Sequence, residues 1–125
     1  MPKYIGFYNQ TQAFRGGNNP MAFGVRWNGG VRGDPNFTID TDQLGTIDLT
    51  KAQVPEGADC WCFVYDARPG TNWSSESADN FIYNSNENSS AIYTYNGQFS
   101  MEIKNLDAEN SLPQNFIEVP LDDGV

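Results

Sequence analysis

A chain of 125 residues has the length of one domain and can bury a single core without disulfide or metal staples. Sixteen acidic against seven basic side chains leave a net charge of −9 and a pI near 4.1, which repels the phosphate backbone of a nucleic acid and an anionic membrane surface alike. Histidine is absent, which removes the commonest general base, the commonest metal ligand and the usual pH switch together.

The chain is too aromatic and too lightly charged for disorder, and its short β-branched and aromatic runs are cut by clusters of Gly, Asn, Asp and Pro. In chain order, strands are expected near residues 3–9, 22–28, 36–41, 44–50, 59–66, 79–84, 90–96 and 98–105, with a further short one at 115–119. The loops between them include 15–20, 28–35, 67–79 and 84–90. In "AIYTYNGQFSMEI", Asn96-Gly97 between two alternating runs predicts a two-residue type I′ hairpin turn. Phe99, Met101 and Ile103 then share one face of the second arm, opposite Ser100, Glu102 and Lys104. Helical periodicity is nearly absent, and "LDAENSLP" is too short and polar to change that. These signals predict an all-β, single-domain antiparallel β-sandwich, or a related barrel, of about seven to nine strands over residues 1–119. A short acidic tail follows at 120–125.

No run approaches the ~18–20 apolar residues of a membrane span, and "MPKYIGFYNQ" lacks the charged start and apolar stretch of a signal peptide. A soluble, cytoplasmic protein is the expectation. N-x-[ST] sequons begin at Asn9, Asn36, Asn72 and Asn88, and with no leader in view they are read as mostly unused.

"DCWCFVY" at 59–65 raises the question of cysteine chemistry. On a strand, Cys60, Cys62 and Val64 point to one side and Trp61, Phe63 and Tyr65 to the other. A disulfide between residues two apart closes a very tight ring against extended backbone, and zinc needs two further thiolate or imidazole ligands that the chain lacks. Both thiols are therefore expected to be reduced core residues. With both faces apolar, the segment is expected to be an interior strand whose aromatic face, Phe63 included, is covered by a layer, a loop or a partner. That aromatic face is also the first place to look for a groove.

Asp34, Asn36, Thr38, Asp40 and Asp42 place a row of oxygen donors on one face of "DPNFTIDTD", as calcium prefers. The spacing departs from the EF-hand loop, and the row is read as a solvated edge face with no metal bound. Sixteen scattered acids single out no catalytic pair, and there is no P-loop, nucleophile elbow or dinucleotide fingerprint. The chain is read as a non-enzyme without a cofactor.

The remaining signal is aromatic residues in polar loops. Trp73 lies within "RPGTNWSSESAD", and Trp27 precedes Asn28-Gly29-Gly30. Such a tryptophan offers a flat face to a sugar ring while neighbouring Asn, Ser and Asp supply directional hydrogen bonds; the competing reading is a lid folded back on the sandwich. Trp73, Asn72, Ser74, Asp79, Trp27 and Asn28 are thus the predicted ligand-binding residues. The expected function is non-enzymatic binding of a glycan or glycoconjugate, lectin-like. The alternatives are a membrane-lipid-binding β-sandwich, or a self-associating structural protein that forms a homo-oligomer.

Overall fold

A computed structural model describes residues 2–11, 17, 19–33, 39–66, 70, 74–106 and 116–118. Every element named in it is a strand: β1 (Tyr4–Asn9), β2 (Met21–Trp27), β3 (Gly30–Gly33), β4 (Leu44–Asp48), β5 (Asp59–Asp66), β6 (Ser74–Glu76), β7 (Phe81–Ile82), β8 (Ser89–Tyr95), β9 (Phe99–Asn105) and β10 (Phe116–Glu118). They form two five-stranded sheets that do not close into a barrel. The first runs β10-β4-β1-β8-β9; the second runs β3-β2-β5-β6, with β7 also paired to β5.

The inner faces of the two sheets meet in one sandwich-like core. Ile5, Phe7, Ile47, Ala91 and Tyr93 come from the first sheet and Phe23, Val25, Cys60, Cys62, Val64 and Phe81 from the second, all at most 4% exposed. Phe7 meets Phe23 across the gap at 5.5 Å between ring centroids, and Phe81 meets Tyr93 at 6.2 Å. Burial of such rings is the dominant favourable term in the fold.

Three expectations are corrected here. The sheets are not wholly antiparallel, because β1 pairs β8, and β10 pairs β4, in parallel. In that register Ile5 and Phe7 of the central strand lie beside Ala91 and Tyr93, and all four share the buried inner face. The described residues hold ten strands where about seven to nine were expected. The additional ones are β3 and β6, glycine-rich and serine-rich edge segments whose backbones pair although they carry little apolar signal.

The third correction is the hairpin. Tyr95 pairs with Phe99, so Asn96, Gly97 and Gln98 form a three-residue loop where a two-residue turn was expected. A two-residue turn would pair Tyr95 with Gln98 and carry Ser100 and Glu102 to the inner face. The observed register keeps Phe99 and Met101 against the core, with the Phe99 ring tilted against Tyr95 at 4.8 Å between centroids. Asn28-Gly29, by contrast, closes a two-residue loop, pairing Trp27 with Gly30.

The strand expected at 44–50 stops at Asp48, whose carboxylate accepts hydrogen bonds from the Thr50 and Lys51 amides at 2.9 and 3.3 Å. The one expected at 79–84 contracts to Phe81–Ile82. Of the one expected at 36–41, Ile39 forms an isolated bridge with Met21, and residues 36–38 lie outside the described residues. The tail at 120–125 also lies outside them.

At the end of the sandwich where β1 finishes, fully buried Asn9 ties three segments together. Its amide nitrogen donates to the Asn19 and Ile39 carbonyls, each at 2.8 Å, and its oxygen accepts from the Thr11 amide at 3.2 Å and hydroxyl at 2.7 Å. This sequon asparagine thus has every hydrogen-bonding group of its side chain engaged in the fold. Among the described residues no helix is long and apolar enough to cross a membrane.

Candidate functional site

Strand β5 lies between β2 and the β6–β7 edge, so alternation gives it two separate surroundings. On the inner side Cys60, Cys62 and Val64 are fully buried, and both cysteines are free thiols. The Cys60 thiol faces the Ala58 carbonyl at 3.4 Å and the Cys62 thiol the Phe63 carbonyl at 3.7 Å. Burial, and secondarily the Asp59 carboxylate, pushes the Cys60 thiol up to about 12, and burial alone pushes Cys62 well above its ordinary value. A thiolate is therefore withheld from both, as expected of core cysteines and not of nucleophiles.

The outer side carries Trp61, Phe63 and Tyr65, and all three are half-buried, so the expected covering of this face is partial. Phe63 is a packed rung. Its ring stacks with Tyr65 at 6.3 Å and 15°, and the Arg26 guanidinium lies 5.5 Å from its centroid. Gly24, paired with Phe63, gives the ring its floor, since a Cβ there would fall 2.6 Å from the Phe63 ring.

Trp61 is different. Its indole N–H donates to the Glu76 carboxylate, which also meets the Arg26 guanidinium at 3.3 Å. Among the described residues no other ring or cation stacks on the indole. Two residues from it, on the same face, Asp59 accepts a hydrogen bond from the Asn80 side-chain amide. The edge strand is broken opposite Trp61, between β6 and β7. Ser77 holds the break: its amide donates to the Cys62 carbonyl at 2.9 Å, its hydroxyl accepts from the Cys62 amide at 3.3 Å and donates to the Asp79 carbonyl at 2.9 Å. Tyr93 of the other sheet donates to the same Asp79 carbonyl at 2.9 Å. A half-buried indole, held by a carboxylate, is thereby rimmed by Arg26, Glu76, Asp59 and Asn80.

Of the sequence-predicted residues, Ser74 comes to the edge of this face, exposed beside Tyr65, whereas Asp79 is exposed in the break with its carbonyl turned toward Ser77 and Tyr93 of the other sheet. Trp27 and Asn28 do not join Ser74 there. Trp27 pairs with Cys60, next to Trp61 in the chain, but on the other side of the sheet, where it packs against the core and lays its ring over Gly30. Asn28 is exposed in the turn that follows. Asn72 and Trp73 lie outside the described residues, as do Asp34, Asn36 and Thr38 of the oxygen row. Among the described residues no group of three or more His, Cys, Asp or Glu is gathered as metal ligands.

Sequence reasoning passed over Trp61, Arg26, Glu76, Asp59 and Asn80 as a group. The alternation in "DCWCFVY" marked the aromatic face, but nothing local pairs Arg26 with Trp61, a neighbour created only by β2–β5 register. Compared with known protein families, with curated proteins and with solved structures, the chain matches none.

Proposed function

We propose that this chain is a non-enzymatic glycan-binding module that seats a sugar ring on the Trp61 face of the second sheet. The observation that carries the reading is the indole itself, half-buried at the surface of the sheet, free of any stacked neighbour among the described residues and fixed in orientation through Glu76. A pyranose ring presents an apolar C–H face to such a platform, while its hydroxyls need donors and acceptors at the rim. Arg26 and Asn80 supply donors, and Glu76 and Asp59 supply acceptors; Asp79, exposed in the neighbouring break of the edge strand, remains part of the proposal as a flanking residue. Ser74 extends the rim past Tyr65. Asn72 and Trp73 directly precede Ser74 in the chain and remain part of the proposal as flanking residues.

A glycan array with soluble-sugar competition, run on the parent protein and on Trp61→Ala, tests this. Stacking one aromatic face is worth ~1–3 kcal/mol, so the variant should bind roughly 5–150-fold more weakly. Array binding unaffected by Trp61→Ala rejects the platform. Pelleting with zwitterionic liposomes that soluble sugars do not compete favours the lipid-binding alternative instead.

A further inference from the structure

We infer that strand β9 is a self-complementary edge through which two copies of this chain pair about a two-fold axis, continuing the first sheet across the contact. This goes beyond the glycan reading and uses a different part of the molecule, so either can fail without the other.

The starting point is the length of the edge. Among the described residues, the edge strands β3, β6, β7 and β10 have two to four residues each, whereas β9 has seven and ends the first sheet. Its pairing with β8 uses only half of its backbone groups. The Leu106 amide donates to the Asn88 carbonyl at 2.9 Å, and the Asn96 amide to the Gln98 carbonyl at 3.3 Å. In the β8–β9 register these bonds assign the even-numbered residues of β9 to β8. Phe99, Met101 and Ile103 therefore turn their N–H and C=O groups toward the open edge, where a further strand can pair with them.

The side chains along this edge say which strand fits. Ile103 lies on the same face as the buried Ala91 with which it pairs, yet it is 48% exposed, and Met101 beside it is half-buried. On the opposite face Glu102 and Lys104 meet at 2.8 Å, with side chains 69% and 38% exposed. Charges often blunt an edge strand by repelling a like neighbour, but the order of these two removes the repulsion in one arrangement. When two copies of β9 run antiparallel with Ile103 opposite Ile103, Glu102 of each copy stands opposite Lys104 of the other. The outward backbone groups of the two Ile103 residues meet in the same register, and the exposed isoleucines cover one another.

Shifting the axis to Glu102 or to Lys104 places like charges directly opposite, which is destabilising. Shifting it to Met101 sets both charges against uncharged residues. A two-fold contact between identical strands needs this kind of self-complementarity, and binding of a foreign strand does not. The charge order thus points to a second copy as the occupant. Pairing along one strand buries less than the ~1,000 Å² of a stable interface, so the dimer is weak, with a dissociation constant on the order of 0.1–1 mM.

The test is sedimentation equilibrium on the full chain from about 10 µM to about 1 mM protein. It is run in about 0.15 M sodium chloride, where repulsion between two chains of charge −9 is screened beyond about 8 Å. A monomer–dimer equilibrium is expected. Glu102→Lys puts lysine opposite lysine, and Lys104→Glu puts glutamate opposite glutamate, so each variant alone should dimerise roughly tenfold more weakly. Both side chains lie on the face away from Phe99 and Met101, so both variants should fold. An equimolar mixture of the two variants restores both ion pairs and should dimerise as tightly as the parent. A parent that stays monomeric throughout overturns the inference. So does a mixture no tighter than its separate components, or a dimer indifferent to both substitutions. Weakening by Glu102→Lys without weakening by Lys104→Glu would put the axis on Glu102 and overturn the pairing about Ile103.

Discussion

The inner and outer faces of the second sheet are built from the same strands, yet they answer to different demands. Inward, Phe23, Val25, Cys60, Cys62 and Val64 are at most 2% exposed and meet the other sheet. Outward, Trp61, Phe63 and Tyr65 are only half-buried and lie among charged side chains, Arg26 and Glu76, each exposed by nearly half. The inner face is close-packed, so any lost atom leaves a cavity; on the outer face water and long side chains can refill a gap. Apolar residues in one strand therefore have two separate uses, and the side of the strand decides which.

The sharpest test of that contrast is a pair of truncations. Phe23→Ala should cost about 3–5 kcal/mol in denaturant unfolding, because the ring packs on Phe7 with no solvent to replace it. Trp61→Ala should cost less than about half of that while losing ligand. Equal losses would make the outer face a second core and end the comparison.

Gly24→Ala probes the seam between the two faces. The added methyl would collide with the backbone carbonyl of Arg32 and with the Phe63 ring, and Arg32 belongs to the paired strand β3. About 1–3 kcal/mol of destabilisation is expected, with a change in Tyr and Trp fluorescence as Phe63 is displaced.

The thiols report on the inner face alone. Both should react slowly with a disulfide reagent until denaturant is added, and two per chain should then titrate. Their pH dependence has a definite sign. Cys60 is pushed up to about 12 from an ordinary 9.0, so between those values the unfolded chain has lost a proton that the folded chain still holds. Stability from this group is complete below about pH 9 and declines as pH rises through that window. Cys62, raised for the same reason, adds to the slope. A Cys60→Ala, Cys62→Ala variant should show a shallower alkaline decline, and an unchanged slope would mean that the thiols are wet.

The smallest expected effect is on the outer ion pair. Arg26→Ala or Glu76→Gln should change stability by no more than ~1 kcal/mol, since both partners are exposed by more than two-fifths. Glu76→Gln keeps an oxygen for the indole N–H and should bind glycan better than Glu76→Ala, which frees the ring. Identical binding by the two variants would remove Glu76 from its positioning role.

How far the fold can be read from residues is clearest at two identical dipeptides. Asn28-Gly29 and Asn96-Gly97 carry the same hairpin signal, yet the first closes a two-residue loop and the second is extended to three. The difference lies beyond the turn. Phe99 must stand opposite Tyr95 to reach the core, whereas Gly30 opposite Trp27 has no side chain to place and leaves room for the indole. Likewise β6, "SSE", has no apolar period to find, and it exists because β5 offers it an edge.

The strand alternation along "DCWCFVY", with two thiols on one side and three aromatics on the other, was determined by the sequence itself, because the side-chain period of two is a property of extended backbone. So were the all-β character and most strand positions, which follow from local composition. Only the tertiary structure decided which side of β5 faces the other sheet, that β1 and β8 run parallel, and that Arg26, Glu76 and Asn80 surround Trp61. Those outcomes depend on register between strands distant in the chain, and register is chosen by the burial of the whole core, which no local run of residues contains.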